Sequence, residues 1–330
     1  METVKAPVQV EEMAKLKEGV SAILNNLCWQ NFDISVEEFT ALPIINQAHL
    51  QECVELIFDK AVNLAGFSEI VARLCQVLQI KKVQAENSET ETVNFRKLLI
   101  SRCQKEFDRD NMGSLDREKK AYRDMAAAQT DSERKQIKAV FEQTEMKLRR
   151  RSLGNIRFIG ELYKLHMLTA RIMHECVKKL LKTADEESLE CLCELFTSVG
   201  QVLDTETKSR LSKGPYGGLN DLSVYFAEMK EIIQDKKVCS RVRFLMQDVI
   251  ELRVADWKTL EQIQAEEELN AKLQGMNLGP MPGRRDDRSS NNNRRRSKKG
   301  SERGETGENL YSSFWNGYIS SLSTCKGCNQ

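Results

Sequence analysis

Apolar residues recur three or four positions apart along most of the chain, and this spacing predicts amphipathic α-helices. The first series contains Met13, Leu16, Val20, Ile23 and Leu27. No alternating apolar–polar run of the strand type separates the series, so the pattern predicts an all-α protein. Comparable series fall in the segments 50–61, 70–78, 95–107, 131–167, 172–181, 189–199, 226–233 and 242–252, with a more polar helix over 258–273.

Short polar links join these helices, so consecutive helices are expected to pack as antiparallel pairs. Each pair spans roughly 40 to 47 residues, the period of HEAT-type repeats. A single pair cannot bury its apolar face, and stacking of neighbours solves this problem. We therefore predict an all-α HEAT-repeat solenoid of about five antiparallel helix pairs. A compact helical bundle is the competing architecture.

Composition divides the chain into a folded region and two tails. We predict a short amino-terminal tail over residues 1–11, a HEAT-repeat domain over 12–274 and a disordered, basic and Ser-rich tail over 275–330. Residues 284–303 hold nine basic and three acidic residues, a net charge of +6, and such a segment buries little apolar surface. Within the domain, residues 84–91, 108–114 and 214–218 are predicted loops.

The chain carries no sign of secretion or of a membrane span. Its first residues are charged, and no apolar run reaches the roughly 18 residues that a transmembrane helix needs. Most of the ten cysteines occupy apolar helical positions, where a free thiol behaves as a small hydrophobe. The sequence therefore predicts a reduced, cytoplasmic location.

Motifs for catalysis are missing from the sequence. It contains neither a GxxxxGK[ST] phosphate loop nor an HExxH metal motif. The histidines are His49, His166 and His174, and they come without a carboxylate at ligand spacing. One CxxC, at Cys325 and Cys328, lacks two further ligands nearby. We predict no enzymatic activity, no cofactor and no metal site.

One segment carries a distinctive resemblance. Residues 149–168 read RRRSLGNIRFIGELYKLHML, which strongly resembles the middle domain of eukaryotic translation initiation factor 4 gamma. Residues 93–110, 185–196 and 240–253 resemble the same family in the same order, as does ILNNL at 23–27 followed by Phe32. The resemblance extends from about residue 12 to residue 273 and implies a HEAT-repeat crescent.

The resemblance also implies a function and partners. Members of this family scaffold translation initiation: the domain binds and stimulates the DEAD-box RNA helicase initiation factor 4A, binds mRNA and contacts initiation factor 3. No cap-binding-protein site is found, because Tyr163 is followed by Leu168 at the motif spacing but then by Thr169. A truncated regulatory relative, which represses translation or acts as an mRNA adaptor by competing for helicase or RNA, is the alternative.

Helicase-binding residues follow from the family positions at the two ends of the domain. Leu24 and Leu27 also fit the apolar stripe of the first helix, so a core role is the alternative. Trp29 beside them is either an exposed anchor or a buried residue. For the second group, an ordinary solvated helix face is the alternative. The residues assigned by resemblance are Leu24, Leu27 and Phe32 at one end and Arg243, Gln247, Asp248 and Glu251 at the other.

Basic residues supply candidates for RNA binding. Arg150, Arg157 and Lys164 recur every seven residues, so they lie roughly on one side of a helix and could follow phosphates without reading sequence. Salt bridges to Glu142, Glu145 or Glu161 are the alternative use of these cations. The full set is Arg96, Lys97, Arg102, Lys105, Arg149, Arg150, Arg151, Arg157 and Lys164.

Overall fold

The structure is a computed structural model, and it describes residues 5–86, 91–211, 221–235 and 237–276. It divides into two compact units, residues 1–256 and residues 257–330. The first unit contains ten of the described α-helices. These are α1 (Lys5–Asn26), α2 (Phe32–Ala41), α3 (Gln47–Asn63), α4 (Ser68–Leu78), α5 (Phe95–Ala127), α6 (Asp131–Lys164), α7 (Ala170–Thr183), α8 (Glu186–Leu211), α9 (Leu222–Asp235) and α10 (Ser240–Val254).

Consecutive helices of the first unit pack as pairs, and the pairs pack in sequence order. Helix α5 packs on α6, α7 on α8, and α9 on α10. One layer is formed by α3, α6, α8 and α10, each of which contacts the next. This arrangement confirms the prediction of an all-α, HEAT-like solenoid, in which each pair buries its apolar face against its neighbours.

The core of the first unit is continuous along this layer. Phe58 of α3 meets Phe158 of α6 edge to face, with ring centroids 6.2 Å apart. Further along, Phe196 of α8 lies 4.9 Å from Phe226 of α9. Gly154 allows α6 to approach α3 closely, because a Cβ atom there would lie 2.0 Å from the Val62 carbonyl oxygen.

The sequence predicts N-caps at Asn94, Asp185 and Ser240, because each of these polar residues stands at the start of an apolar helical series. The structure agrees with two of the three. Asn94 caps α5 by accepting a 2.7 Å hydrogen bond from the Lys97 amide, as predicted. Asp185 caps α8 by accepting from the Ser188 amide at 2.7 Å, also as predicted. The expected cap at Ser240 was wrong, because α10 begins at that residue and Cys239 is its N-cap.

Two of the predicted loops differ from the structure. The segment predicted as a loop at 84–91 begins with the last residue of a short strand, β1 (Lys82–Gln84), which pairs antiparallel with β2 (Thr92–Asn94) so that Val83 lies opposite Val93. The β-branched residues of the two strands suit an extended backbone. Residues 87–90 of this segment lie outside the described residues. The loop predicted at 108–114 was wrong, because α5 continues through it and packs along α6. The break predicted at 214–218 lies outside the described residues.

The ends of the predicted domain agree only in part with the helices of the structure. Helix α1 begins at Lys5, so helical structure starts before the predicted boundary at residue 12. In the second unit, α11 (Leu260–Met276) corresponds to the polar helix predicted at 258–273. From residue 277 onward, the predicted basic tail lies outside the described residues. No helix within the described ranges is both long and apolar enough to cross a bilayer.

Candidate docking surfaces

An aromatic surface lies where α1 gives way to α2. A single 3-10 turn at Trp29–Asn31 connects the two helices. The Trp29 side chain is 56% exposed and stacks on Phe32, with ring centroids 6.2 Å apart and an interplanar angle of 29°. Ile34 is also exposed. We call Trp29, Phe32 and Ile34 the amino-terminal surface.

Hydrogen bonds from Asn31 hold this turn. Its carboxamide oxygen accepts from the Cys28 amide at 2.9 Å, and its amide nitrogen donates to the Asn26 carbonyl at 2.7 Å. Both contacts are local, and they close the turn that carries Trp29.

Leu24 and Leu27 do not belong to this surface. Each is only 3% exposed, so neither side chain can reach a partner while α1 stays folded. Their apolar spacing instead reflects the face of α1 that packs against the core. The prediction that they contact the helicase directly is therefore corrected, whereas Phe32 is half-buried and remains accessible.

The second group of predicted residues lies on α10. Gln247 donates a 2.9 Å hydrogen bond to Glu251, so the two share a face as the spacing predicts. The apolar residues Phe244 and Val254 extend this face and are 70% and 82% exposed. Positions 244, 247, 251 and 254 are three or four apart, so they form one stripe. We call these four residues the carboxy-terminal surface.

A groove borders the carboxy-terminal surface. It has a volume of about 460 Å³ and lies between α9 and α10. Its lining includes the apolar side chains of Ile233 and Ile250 and one charge of each sign, at Lys230 and Glu251. The groove therefore suits a protein side chain with an apolar body better than it suits a bare anion.

Asp248 and Arg243 lie at the edge of this stripe. Both are half-buried. Burial raises the pKa of Asp248 to about 6, and the charge of Glu251 adds to the increase. The Asp248 charge also helps burial to raise the pKa of the Cys193 thiol on α8. Arg243 donates to the Ser240 hydroxyl at 3.0 Å.

Several of the cations that were predicted to bind RNA form ion pairs between helices instead. Arg102 and Arg151 converge on the buried carboxylate of Glu106, and they also bind Glu55 and Asp59, respectively. Burial lowers the pKa of each guanidinium, but the hydrogen bonds to carboxylates outweigh burial and the net pKa is raised. Both arginines are therefore permanently charged parts of the α3–α5–α6 junction.

Two further arginines make ion pairs with α8. Arg149 binds the buried Glu190, and Arg157 binds Glu194 with a 2.6 Å contact. The stripe expected from Arg150, Arg157 and Lys164 is therefore interrupted at its centre. The alternative of salt bridging is supported. Among the predicted partners, Glu161 pairs with Lys164 of the candidate set. Glu145 and Glu142 pair instead with Arg117 and Lys138, which are not in the set.

The remaining cations of the predicted set are accessible. Lys97, Lys105, Arg150 and Lys164 are exposed. Arg96 is exposed as well, and its guanidinium donates to the Met167 carbonyl at 2.8 Å. Five of the nine candidates are thus exposed, although Lys164 among them also pairs with Glu161.

The histidines show no arrangement for catalysis or metal binding in the described part of the chain. His174 is buried, and its two ring nitrogens lie 3.0 Å from the hydroxyls of Tyr225 and Thr207. Burial lowers the pKa of His174, and the charge of Lys178 lowers it further. His166 lies in the turn after α6 at φ 58°, so a break separates the two. Among the described residues, no three His, Cys, Asp or Glu groups could hold a metal ion, and the CxxC lies outside them.

Three exposed apolar residues of the two surfaces, Ile34, Phe244 and Val254, were not predicted from the sequence. Phe244 and Val254 fall off the apolar stripe of Val242, Met246 and Val249 that faces the core. This offset was visible in the sequence, because an apolar residue on the polar side of an amphipathic helix has no core to enter. Ile34 carried no such signal within its short helix.

Taken together, the helical stack and its two surfaces define an all-α, HEAT-like protein with exposed apolar side chains in its first and last repeats. Comparison with known families agrees with this class. Residues 18–255 match the model of the MIF4G domain. The chain therefore belongs to the MIF4G domain family.

Curated relatives of the chain are much longer proteins. It is 44% identical over 260 residues to eukaryotic translation initiation factor 4 gamma 1 of Mus musculus, covering 76% of this chain and 16% of that protein. It is 42% identical over 257 residues to eukaryotic translation initiation factor 4 gamma 3 of Homo sapiens, covering 75% and 16%, respectively. The chain thus spans about one sixth of the length of these relatives.

A plant relative and a solved structure extend the comparison. The chain is 36% identical over 266 residues to eukaryotic translation initiation factor 4G of Triticum aestivum, covering 80% of this chain and 16% of that protein. The crystal structure of the MIF4G domain of Trypanosoma cruzi translation initiation factor EIF4G5 is 19% identical, with a TM-score of 0.43, covering 74% of this chain and 97% of that one.

Proposed function

We propose that the chain is a non-catalytic scaffold of cytoplasmic translation initiation, which binds and stimulates the DEAD-box RNA helicase initiation factor 4A and binds mRNA. The observation that carries the proposal is the pair of exposed aromatic anchors, Trp29 and Phe244, at opposite ends of the segment that matches the MIF4G domain. The relatives named as translation initiation factors support the biological setting.

Trp29 has the features of an interface anchor. Large aromatic side chains that lose their water on binding carry much of the affinity in protein complexes. The Trp29 ring is already stacked on Phe32, so little conformational freedom remains to be lost on binding. Exposed carboxylates at Asp33, Glu37 and Glu38 follow on α2, and they favour a partner surface with basic residues around an apolar pocket.

The carboxy-terminal surface offers a second, separate contact. Its Phe244 and Val254 side chains are more exposed than Trp29, and the groove beside them can accept an apolar side chain. Two contacts on one stack allow the scaffold to hold two lobes of a helicase at once. Such a scaffold stimulates only if it binds the active arrangement of the lobes more tightly than the open one; about 1.4 kcal/mol of difference gives tenfold stimulation.

The test of this proposal is helicase binding and ATPase stimulation by surface variants. Trp29→Ala and Phe244→Ala are each expected to weaken binding about tenfold or more, because each removes an aromatic anchor. Ile80→Ala is the matched control, since Ile80 is 80% exposed but belongs to neither surface. Equal behaviour of all three variants, or no binding by the unaltered chain, would contradict the proposal.

RNA binding is assigned to the accessible cations. A triple variant, Lys97→Gln, Lys105→Gln and Arg150→Gln, is expected to weaken single-stranded RNA binding for all sequences alike. The slope of log affinity against log salt should fall by about 0.7 for each phosphate that the variant no longer neutralises. Lys119→Gln with Lys135→Gln removes exposed charge elsewhere and should change the slope less. An unchanged slope in the triple variant would exclude these residues.

The effect on translation separates a scaffold from a competitor. A scaffold raises or rescues the output of a cap-dependent translation extract, whereas the regulatory relative lowers it by capturing helicase or RNA. Binding to initiation factor 3 stays a prediction from the resemblance, with no residue assigned to it.

A further inference from the structure

Helix α10, which carries the carboxy-terminal surface, is attached to α8 by a buried carboxylate near each of its ends. Near the start of α10, Arg241 binds Glu190. Near its end, Arg253 lies 3.4 Å from Asp204. Both carboxylates belong to α8, and their side chains are only 4% and 5% exposed. Two polar contacts therefore flank the exposed stripe.

The first contact extends beyond α8 and α10. Glu190 also binds Arg149 of α6, so one carboxylate joins three successive helices of the same layer. The Cys239 amide donates to Glu186 at 3.2 Å, which attaches the beginning of α10 to α8 a second time. The start of α10 is thus tied to the body of the stack.

The second contact involves α9 as well. The Arg253 guanidinium donates to the Ser223 hydroxyl at 3.2 Å and lies 4.5 Å from the centroid of the Phe226 ring. Ser223 and Phe226 belong to α9. Arg253 therefore holds the end of α10 between α8 and α9, beside the groove.

These ion pairs hold α10 in one orientation, which apolar packing alone does poorly. Val242, Met246 and Val249 bury α10 against the stack, but apolar contacts are non-directional, and a helix can rotate or slide on them at small expense. Guanidinium–carboxylate contacts fix donors and acceptors in a narrow geometry. Buried pairs of this kind add little net stability, and conformational specificity is one of their attested uses.

We propose that Glu190 and Asp204 are positioning residues: through Arg241 and Arg253 they set the rotation of α10 that presents Phe244 and Val254 to the helicase. This inference rests on the proposed function. Neither carboxylate touches the partner. Each acts through an arginine on the helix that does.

The experiment compares Glu190→Gln with Glu106→Gln. Glu106 is a matched control because it is also buried and also joins two arginines, Arg102 and Arg151, but at the α3–α5–α6 junction. Both variants are expected to be destabilised to a similar extent. Hydrogen exchange of α10 amides and helicase ATPase stimulation are then measured below the unfolding range of both proteins. Arg241→Lys is a milder variant that keeps the charge but removes the planar two-pronged geometry.

The inference predicts faster exchange in α10 and about tenfold weaker stimulation for Glu190→Gln, an intermediate effect for Arg241→Lys, and stimulation within about twofold of the unaltered chain for Glu106→Gln. Equally weakened stimulation in the two glutamine variants, or normal stimulation by Glu190→Gln, would overturn it while leaving the proposed function intact. If the unaltered chain does not stimulate the helicase, the proposed function itself fails, and the inference fails with it.

Discussion

Glu106 shows how a single buried residue organises a junction of this protein. It is 1% exposed, and Arg102 and Arg151 reach it from two different helices. Both arginines also lie over the Phe58 ring, with the Arg102 guanidinium 4.1 Å from its centroid. The apolar ring and the carboxylate together replace the water that the guanidinium groups lose.

Glu106→Gln is expected to lower the free energy of unfolding by about 3 kcal/mol, because it leaves two half-buried arginines without the buried negative charge that they share. Urea denaturation at neutral pH measures the change. Glu55→Gln is the control: Glu55 binds the same Arg102 but is 49% exposed, so the decrease there should be under about 1 kcal/mol. Equal decreases in the two variants would show that the burial of Glu106 does not increase its contribution to stability.

The Asp248 carboxyl is expected to change its protonation state near pH 6. Its pKa is raised to about 6 by burial and by Glu251, so the folded state binds a proton more readily than the unfolded state, where the ordinary value is 3.8. The unfavourable charge is fully present above pH 6, and its effect disappears as the pH falls from 6 towards 3.8.

Asp248→Asn should therefore stabilise the protein by about 1 kcal/mol at about pH 7.5, after allowance for solvent screening at this half-buried site. The gain should shrink steadily between about pH 6 and about pH 4. Urea denaturation of both proteins across this range measures the difference. A gain that is constant with pH would mean that the Asp248 carboxyl does not titrate there.

The residue roles that the sequence could not predict are those decided by tertiary contacts. Leu24 and Trp29 are five residues apart and both apolar, yet only the second is exposed. In the same way, Arg149 and Arg150 are neighbours, but Arg149 meets Glu190 on another helix while Arg150 stays exposed. Periodicity identifies a face of a helix, and only the neighbouring helices decide what covers it.

At the scale of elements, the sequence was most informative where the signal is local. The caps at Asn94 and Asp185 need only a side chain and an amide three residues later, and both formed as predicted. Helix α5 was misjudged because Gly113 and its polar neighbours suggested a loop. Pairing with the 34-residue α6, including the Arg117–Glu145 contact, outweighs that local preference.

Gly154 tests the packing of α6 on α3. Gly154→Ala would place a Cβ atom 2.0 Å from the Val62 carbonyl oxygen, so the two helices must separate, and the free energy of unfolding should fall by about 3 kcal/mol. Gly66→Ala is the control, since a Cβ atom there meets nothing within 4 Å. Chemical denaturation compares them, and a neutral Gly154→Ala would mean that the close approach of the helices is not needed.

At the scale of the molecule, the repeated helical spacing was enough to predict an all-α stack of HEAT-like pairs. The family could be predicted because the resembling segments occur in the same order along the chain. The surfaces were less predictable, because an exposed aromatic such as Phe244 and a buried one such as Phe226 both occur in amphipathic helices. Their difference depends on the position of each helix in the stack.

In the proposed function, the two ends of the first unit hold different lobes of one helicase. The most direct test titrates each isolated helicase lobe against the chain, against Trp29→Asp and against Phe244→Asp. One lobe is expected to lose binding only with Trp29→Asp, and the other only with Phe244→Asp. If both lobes respond to the same substitution, or if neither responds to either, the two-surface account is contradicted.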